Sequence, residues 1–345
     1  MAPAAPLRWA VLGPGAIARR FASQLPASGA GAIEAVGSSD AARARAFADE
    51  AAPGARTGTH AEVLADPDVD AVYVATVHTT HAALATAALA AGKHVLCEKP
   101  LTPTLAATTA LVEAARGAGR VLVEAYMYAF HPQQRALLEL VRSSALGEVL
   151  HVDASFSFAA ASPTGRLFDP ALAGGGILDV GGYPVTMARA VAGAALGRPA
   201  RLTSLRGGGT VGATGVDERA VAVLGFDGGV SATVRTGVRL EEPQAVSVHG
   251  TAGSVHLPDP WVLGGGSELV VRRVGEAEQV LHPGDGADLP YAAEAAALAR
   301  LAERARAGED VSAGAAEHSL DDALATADVL ERWRAAVGVR YPFED

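Results

Sequence analysis

The sequence predicts a two-domain protein: an α/β domain on a doubly wound parallel sheet, followed by an α+β domain on a large, mostly antiparallel open sheet. Three observations predict this. Short apolar strands alternate with amphipathic helices up to residue 125, strand-like runs dominate beyond it, and the 345-residue chain is 50% apolar. Such a chain is long enough for two domains of ordinary size. We place them at residues 1–125 and 126–345.

A glycine turn follows the first strand. Residues 8–12 form a short apolar run, and Gly-Pro-Gly-Ala-Ile-Ala comes directly after it, before apolar side chains at four-residue intervals. This is the strand, turn and helix context that the G-x-G-x-x-G/A dinucleotide fingerprint requires. Gly13 permits the tight turn, and Gly15 lets the backbone approach a pyrophosphate. Ala18 keeps the helix that follows close to the sheet, so that its N-terminal amides face that anion. Ala16 and Ile17 lie within this turn and are also candidates for cofactor binding.

The end of the second strand bears on the choice between NAD and NADP. A strand predicted at residues 33–37 runs into Ser38, Ser39 and Asp40, and then into a helix that carries Arg43. An acidic residue at this strand end binds the ribose hydroxyls and favours NAD. Because two serines occupy the position and Arg43 follows, we favour NADP. A shift of one residue would place Asp40 there, so NAD stays open.

The third strand, at residues 71–75, is followed by Thr76, His78 and His81. Ligands of an open parallel sheet bind at the carboxyl ends of its strands, so we expect these three residues to line the groove above the sheet. Two histidines also raise the question of a metal, but no cysteine or acidic cluster accompanies them. We therefore predict no metal site.

The fourth strand, at residues 93–97, delivers Glu98, Lys99 and Pro100 directly to its carboxyl end. The proline disfavours helix at Lys99 and makes a cis peptide bond possible, which would hold the lysine side chain in one direction. We predict that Lys99 presents its ammonium group to a ligand here. A fifth strand at residues 121–125 completes the first domain.

The second domain begins with a helix at residues 133–142, and Gly, Pro or Asp turns then separate strand-like runs. These strands are predicted at residues 149–158, 201–205, 220–226, 230–236, 245–249, 254–257 and 268–273. Residues 227–229 form a hairpin turn, and residues 207–215 are predicted to be a mobile loop. Helices at residues 291–307 and 320–337 close the chain.

A glycine-rich segment carries the candidate chemistry of the second domain. Asp179 and Tyr183 are four residues apart, so they share one face of a helix predicted to start near Leu178. Three consecutive glycines, at positions 174–176, allow a ligand or the other domain to approach the backbone closely. The alternative is a flexible loop with a capping aspartate and a packed tyrosine.

Composition limits the classes of partner. The chain has 38 Asp and Glu against 28 Lys and Arg, a formal charge of -10, and no basic run, so we predict no nucleic-acid partner. A single cysteine, Cys97, fits a reducing compartment. Because we find neither a secretory signal nor a membrane span, we expect a soluble, cytoplasmic protein with no membrane partner.

Three motifs together resemble the glucose-fructose oxidoreductase and inositol dehydrogenase (Gfo/Idh/MocA) family, in order and spacing across nearly the whole chain. They are the glycine turn at residues 13–21, the run at residues 92–100 and the segment at residues 174–183. Tyr183, His78 and the runs at residues 124–128 and 166–170 are most similar to the branch of dimeric dihydrodiol dehydrogenases, NADP-dependent xylose dehydrogenases and glucose-fructose oxidoreductase. Ser39 and Ala129 stand where relatives often carry arginine.

The resemblance implies a Rossmann domain and a nicotinamide cofactor, with three catalytic candidates around the substrate carbinol: Lys99, Asp179 and Tyr183. The candidate cofactor-binding residues are Gly13, Gly15, Ala16, Ile17, Ser38, Ser39, Arg43, Thr76, His78, His81, Glu98, Lys99 and Arg166.

Physical chemistry assigns roles to the catalytic candidates. Hydride loss from an alcohol requires its proton to leave as well, and a phenol with an ordinary pKa of about 10 is a poor base at neutral pH. An adjacent ammonium favours phenolate and stabilises the developing alkoxide. We assign Tyr183 as general acid/base, Lys99 as its electrostatic partner and Asp179 as an orienting group or acceptor for a substrate hydroxyl. Alternatively, Lys99 delivers the proton.

The leading hypothesis is an NADP(H)-dependent oxidoreductase acting on a cyclic polyol, sugar or trans-dihydrodiol. Aromatic residues that could form an apolar wall for a ring are Tyr126, Tyr128, Phe130, Phe156, Phe158 and Phe168. The alternatives are a non-catalytic dinucleotide-binding sensor and a redox-neutral enzyme that retains its cofactor. Because a sheet with one face uncovered by helices must bury that face, we also predict a homodimer through the second domain.

Overall fold

The computed structural model describes residues 6–263, 266–284 and 289–344, which form two compact units. Unit 1 contains the described residues up to Phe130 together with Leu289–Leu324. Unit 2 contains the described residues from His131 to residue 284 together with those from Ala325 onward. Each unit is therefore built from two segments of the chain. A single boundary after residue 125 would not assign Leu289–Leu324 to unit 1, to which they belong.

The described residues form two large sheets and a two-stranded ribbon. In chain order, the strands are β1 Leu7–Leu12, β2 Gly31–Gly37, β3 Arg56–Gly58, β4 Ala71–Val74, β5 His94–Cys97, β6 Leu122–Glu124, β7 Val149–Ser157, β8 Leu202–Val211, β9 Asp217–Phe226, β10 Ser231–Gly237, β11 Ala245–Gly250, β12 Gly253–Pro258, β13 Leu269–Arg273, β14 Gln279–Leu281, β15 Gly314–Ala315 and β16 His318–Ser319. The α-helices are α1 Ala16–Ser28, α2 Ala41–Ala51, α3 His60–Ala65, α4 His78–Ala90, α5 Leu105–Ala118, α6 Pro132–Arg142, α7 Gly182–Leu196, α8 Pro290–Arg306 and α9 Leu320–Val337.

Unit 1 contains the predicted doubly wound sheet. Its strands are all parallel and lie in the order β3-β2-β1-β4-β5-β6, so the strand order reverses between β1 and β4. The prediction of five strands was wrong by one, because β3 pairs with the edge of β2. This strand is three residues long and mostly exposed, so it lacks the apolar run that identified the others.

Helices cover both faces of this sheet, and aromatic side chains fill one of the two cores. Trp9 meets Phe21 of α1 edge to face at 5.3 Å, and Phe21 stacks on Tyr73 at 4.2 Å between ring centroids. Phe21 and Leu25 are both buried, as the four-residue spacing predicts. The returning helix α8 contributes Leu298 to the same core.

Unit 2 contains the predicted large, mostly antiparallel sheet. Its eight strands lie in the order β14-β13-β12-β11-β7-β10-β9-β8, and the β7–β10 pair is parallel. The hairpin predicted at residues 227–229 joins β9 to β10, and the amide of Phe226 donates to the carbonyl of Val230 at 2.9 Å. Helix α7 packs on β7 and β10, which places it over one face of the sheet.

The prediction of a mobile loop at residues 207–215 was wrong for residues 207–211, because β8 continues to Val211 and pairs with β9 along its length. Residues 212–215 do lie between the two strands. The glycines there allow close packing. A Cβ on Gly207 would lie 3.0 Å from Trp333 Cδ1, and one on Gly209 would lie 2.5 Å from a carbonyl oxygen of β9. Glycine weakens the apolar alternation that identifies a strand, so the sequence pattern indicated a loop.

Candidate functional site

The glycine turn of unit 1 has the geometry that a dinucleotide needs. Gly13 has a φ of +89°, and a Cβ there would lie 2.7 Å from the carbonyl oxygen of Ala75. By contrast, a Cβ on Gly15 would meet nothing within 4 Å. The first turn of α1, at Ala16 and Ile17, has no side-chain cap, so its amides are open to an anion. These residues fit the pyrophosphate of a dinucleotide.

The acidic residue near the end of β2, Asp40, has a structural role. Asp40 caps α2, and its carboxylate accepts hydrogen bonds from the amides of Ala42 at 2.9 Å and Arg43 at 3.1 Å. These bonds hold the pKa of the Asp40 carboxyl below its usual value. Ser38 is buried and its hydroxyl accepts the amide of Asp40, whereas Ser39 is exposed. The exposed Arg43 guanidinium lies 3.4 Å from Asp40.

The residues after β4 differ in their accessibility. Thr76 is half-buried, and His78, the first residue of α4, is 6% exposed. His81 is fully buried, with Nδ1 2.9 Å from the carbonyl of Pro100 and Nε2 3.2 Å from that of Thr76. Two carbonyl partners favour imidazolium, but burial outweighs them and lowers the pKa of His81. Both ring nitrogens thus face the backbone, and neither is offered to a ligand in this geometry.

The strand β5 leads directly into Glu98 and Lys99, and the Lys99–Pro100 peptide bond is cis. The Tyr73 hydroxyl donates to Glu98 Oε1 at 2.5 Å, and burial, followed by the Glu98 charge, raises the pKa of Tyr73 well above its usual value. The phenol therefore remains a donor that orients Glu98. Lys99 itself is half-buried.

A second buried acid, Glu294 of α8, belongs to the same surroundings. Neither of its carboxyl oxygens has a hydrogen-bond partner among the described residues. Burial, with a smaller contribution from the charge of Glu98, raises the pKa of Glu294 well above its usual value. The Glu294 carboxyl is therefore neutral at pH values where an exposed glutamate is ionised.

Two side chains from other strands hold the loop that carries Lys99. Glu124, at the end of β6, accepts the amide of Leu101 at 2.9 Å through Oε1. Its Oε2 lies 2.8 Å from Nε2 of His318 in β16, and both side chains are buried. With the contact from His81 to Pro100, the two residues after Lys99 are fixed by buried hydrogen bonds. We did not predict from the sequence that Glu124 and His318 would hold the loop that carries Lys99.

In unit 2, Asp179 lies on a π-helical turn, Ile177–Gly181, immediately before α7. The sequence predicted a regular helix from about residue 178; the wider turn precedes Pro184, which has no amide hydrogen to donate. Asp179 is buried, and its Oδ1 accepts from Nη1 of Arg166 at 2.8 Å, while the arginine side chain is 50% exposed. The structure thus brings Arg166 and Asp179 together as an ion pair.

Tyr183, in the first turn of α7, is 5% exposed and surrounded by aromatic rings. Its ring meets Phe156 at 5.0 Å and Trp261 at 5.7 Å, both edge to face. Phe156 and Trp261 stack nearly parallel at 5.9 Å, and the Trp261 indole donates to the Ser155 carbonyl at 2.8 Å. Trp261 was not predicted, because it lies between strands and no motif marks it.

The other aromatic candidates are mostly core. Tyr126, Tyr128, Phe130 and Phe168 are each less than 5% exposed, and Phe158 is half-buried. Phe130 belongs to the apolar core of unit 1 that also contains Trp9. Phe156 is therefore the predicted aromatic that the structure brings to Tyr183.

Two further properties concern the described residues as a whole. None of their His, Cys, Asp and Glu side chains gather in a group of three or more that could hold a metal ion. None of their helices combines the length and the apolar character needed to cross a membrane.

Models of known families match both parts of the chain. Residues 7–126 match the GFO_IDH_MocA model, an oxidoreductase family with an NAD-binding Rossmann fold. Residues 134–256 match the GFO/IDH/MocA C-terminal domain. The first match contains the glycine turn and Lys99, and the second contains Asp179 and Tyr183.

Two curated relatives carry named activities. The trans-1,2-dihydrobenzene-1,2-diol dehydrogenase of Mus musculus is 32% identical over 342 residues, which cover 97% of this chain and 98% of the mouse protein. D-xylose 1-dehydrogenase (NADP(+)) 2 of Haloferax volcanii is 40% identical over 224 residues, which cover 64% of this chain and 66% of that protein. Both relatives are named as dehydrogenases, the first of a diol and the second of a sugar.

Solved structures share the fold over nearly the whole chain. The 3-ketoreductase KijD10 from Actinomadura kijaniata, in complex with NADP and TDP-benzene, has a TM-score of 0.82 and 26% identity, and the match covers 96% of this chain and 98% of that one. An inositol dehydrogenase homologue from Azotobacter vinelandii, complexed with NAD+, has a TM-score of 0.83 at 23% identity, covering 98% of this chain and 96% of that one. The match of residues 7–126 to an NAD-binding Rossmann fold, together with the glycine turn, assigns a nicotinamide dinucleotide as the cofactor.

Proposed function

Because the chain belongs to the Gfo/Idh/MocA oxidoreductase family, we propose that it is an NADP-dependent dehydrogenase or reductase of a ring-shaped polyol, a sugar or a trans-dihydrodiol. Membership itself makes it an NAD(P)-dependent oxidoreductase of CH–OH groups on sugar-like substrates. One observation carries the finer proposal: Arg166, Asp179 and Tyr183 lie on one segment of unit 2, where the first two are paired and the third is walled by aromatic rings. A sensor that only binds a dinucleotide would need none of them.

We assign proton transfer to the Tyr183 hydroxyl. A bound nicotinamide would supply the hydride acceptor for oxidation of the carbinol, and Tyr183 is the general base that takes the hydroxyl proton. Lys99 supplies the positive charge that favours phenolate and stabilises the developing alkoxide. Asp179, whose Oδ1 accepts from Arg166, acts as the orienting group or as the acceptor for a neighbouring substrate hydroxyl. Carbonyl reduction runs the same transfers in reverse.

The surroundings of Tyr183 support a ring-shaped substrate. Phe156, which is 9% exposed and lies beside Tyr183, can pack against the C–H face of a sugar or the ring of a dihydrodiol, and the fully buried Trp261 stacks against Phe156. The Arg166–Asp179 pair offers donors and acceptors to vicinal hydroxyls. An open-chain polyol would lose more conformational entropy on binding to the same groups.

A substrate panel tests this proposal. Sugars, cyclic and open-chain polyols and dihydrodiols are assayed by nicotinamide absorbance, with NAD and NADP separately. Ring-shaped substrates should have the higher kcat/KM. Tyr183→Phe should lower kcat by about 10²–10⁴-fold, the usual contribution of acid/base catalysis. Tyr291→Phe, which removes another buried phenol, serves as the matched control.

Two results would contradict the assignment. The first is turnover of Tyr183→Phe within about tenfold of the parent on its best substrate. The second is an equal loss in Tyr291→Phe, which would show that removal of any buried hydroxyl is enough.

We propose NADP as the preferred cofactor. Asp40 caps α2 through its carboxylate, so the acidic residue near the end of β2 is engaged by the backbone. Ser39 and Arg43 are exposed there, and an arginine binds a 2′-phosphate well. Arg43→Ala should raise the KM for NADP about tenfold or more, since a hydrogen bond to a charged group contributes about 1.5–3 kcal/mol. The KM for NAD should stay unchanged.

Arg45→Ala provides the control for this experiment, because Arg45 is an exposed arginine on the same helix. It should affect neither cofactor. Equal effects of Arg43→Ala on NAD and NADP, or a preference of the parent for NAD, would refute the proposed role.

We also propose a homodimer through the sheet of unit 2. Along β9, the side chains of Ala222 and Leu224 are buried on the face that carries α7, whereas Val221 and Val223 on the opposite face are 41% and 50% exposed. A second copy would bury these two valines together with polar side chains of the same face, such as Thr233 and Ser247. Light scattering at micromolar concentration should give the mass of two chains. Val223→Lys should give monomers, and Val262→Lys, at an exposed valine outside the strands, should not.

A further inference from the structure

The three glycines at positions 174–176 surround a carboxylate of the protein itself. Asp217, the first residue of β9, is fully buried beside them. A Cβ on Gly175 would lie 2.3 Å from Asp217 Oδ1, and one on Gly176 would lie 3.3 Å from Oδ2. From the sequence, we expect this run to admit a ligand or another domain. In unit 2, the space that Gly175 and Gly176 leave is occupied by Asp217.

The carboxylate binds the backbone where the π-helical turn begins. Asp217 Oδ2 accepts the amide of Ile177 at 2.7 Å, and Oδ1 has no hydrogen-bond partner among the described residues. Ile177 is the first residue of the turn that contains Asp179, and Tyr183 follows in the first turn of α7. A carboxylate at the amino end of a helix is favourably placed toward its amides.

Other buried contacts hold the same glycines from further sides. The Thr236 hydroxyl donates to the Gly176 carbonyl at 3.1 Å, and the Tyr341 hydroxyl donates to the Gly174 carbonyl at 2.5 Å. A Cβ on Gly174 would lie 2.6 Å from the carbonyl oxygen of Arg166. Hydrogen bonds and close packing therefore fix the backbone of residues 174–176, which is not an open loop.

We propose that Asp217 is a positioning residue, and this proposal rests on the function proposed above. The buried carboxylate of Asp217 fixes the start of the Ile177–Gly181 turn. It thereby fixes the positions of Asp179 and Tyr183 in the reaction. Asp217 acts through the backbone, at a distance from any substrate. A displacement of about 1 Å at a reacting group can cost roughly 10²-fold in rate, so this anchoring is a determinant of kcat.

Four variants test the proposal. Asp217→Ala removes the acceptor of the Ile177 amide, and Gly175→Ala drives a methyl group into the Asp217 carboxylate. Asp217→Asn is the conservative variant, because its amide oxygen still accepts; burial raises the pKa of Asp217 to about 7, so a neutral side chain is a close mimic. Val248→Ala, a buried core truncation in β11, controls for a general loss of stability.

Amide hydrogen exchange of the whole protein, read on peptides that cover residues 175–183, gives a measurement independent of activity. Asp217→Ala and Gly175→Ala should accelerate this exchange and lower kcat by about 10–10²-fold, with the KM for NADP within about twofold of the parent. Asp217→Asn should stay close to the parent in both measurements. Val248→Ala should lower the melting temperature without accelerating exchange at residues 175–183.

Parental exchange and kcat in both Asp217→Ala and Gly175→Ala would overturn the proposal, as would an equal loss of kcat in Val248→Ala. Should one of the first two variants fail to fold, the other decides. A parent that turns over no alcohol in the panel would refute the proposed function, whereas the exchange measurement would still decide whether Asp217 anchors the turn.

Discussion

Replacing each glycine of the dinucleotide turn by alanine should separate folding from cofactor binding. At Gly15 the backbone φ is -99°, which any residue adopts, and an added Cβ meets nothing within 4 Å. Gly15→Ala should therefore keep the free energy of unfolding within about 1 kcal/mol of the parent, on the stabilising side, because alanine restricts the unfolded chain. The added methyl group nevertheless occupies the space through which a pyrophosphate would approach the amides of α1.

Gly13→Ala should act on the fold itself. Its φ is +89°, and an added Cβ would lie 2.7 Å from both the Ala75 carbonyl oxygen and Thr76 Cγ2. The left-handed backbone costs about 1–2 kcal/mol for an L-residue, and overpacking typically costs about 1–3 kcal/mol. The free energy of unfolding should fall by about 2–5 kcal/mol, with a melting temperature lower by roughly 2–4 °C for each kcal/mol.

Thermal unfolding without cofactor, followed by circular dichroism, measures the stability of each variant. Calorimetric titration with NADP measures its affinity for the cofactor. Gly15→Ala should raise the Kd for NADP at least about tenfold, a change of about 1.4 kcal/mol, while its melting temperature is no lower than that of the parent. Parental affinity in Gly15→Ala would refute the cofactor geometry argued here. A parental melting temperature in Gly13→Ala would refute the steric argument.

Three further predictions concern the same surroundings. Burial raises the pKa of Glu294 well above 4.5, so the native state loses stability as the pH rises above that value. The free energy of unfolding of Glu294→Gln should therefore increase relative to the parent as the pH rises from 5 to 7, by at most about 1.4 kcal/mol per pH unit in urea unfolding. Equal pH slopes of the two proteins would refute this. Lys99→Ala combined with Tyr183→Phe should cost little more kcat than the worse single variant, because groups that act as a unit are not additive; multiplicative losses would show independent action. Glu124→Ala should lower the free energy of unfolding by about 1–3 kcal/mol, because it leaves the buried Leu101 amide unpaired, whereas Glu124→Gln, which still accepts, should lose clearly less in the same urea titration.

Local patterns predicted which residues of unit 1 follow the carboxyl ends of its parallel strands, where we expect the cofactor to bind. The glycine turn, the serines after β2 and the Glu98–Lys99 pair each follow a strand directly, and parallel strands bring their carboxyl ends to one edge. Residues that directly follow these strands in the sequence therefore lie along the same edge of the sheet. The prediction was weaker where side chains turned inward, as for His81, which is fully buried between two backbone carbonyls.

The supports of the candidate site could not be predicted in this way. Asp217 reaches the amide of Ile177 across 40 positions of the chain, and His318 reaches Glu124 across 194. Trp261 joins Tyr183 from a segment between strands. No periodicity or motif links such residues, because their contacts depend on the order of strands in the sheets and on the return of the chain to unit 1.

The glycines show the same division between sequence and structure most clearly. By itself, the sequence determined where the chain has no side chains, hence where something could approach the backbone, because this property belongs to each residue. Only the tertiary structure decided what fills that space: nothing within 4 Å at Gly15, a carboxylate at Gly175 and an indole at Gly207. The occupant comes from a distant part of the chain, and packing, which is collective, selects it.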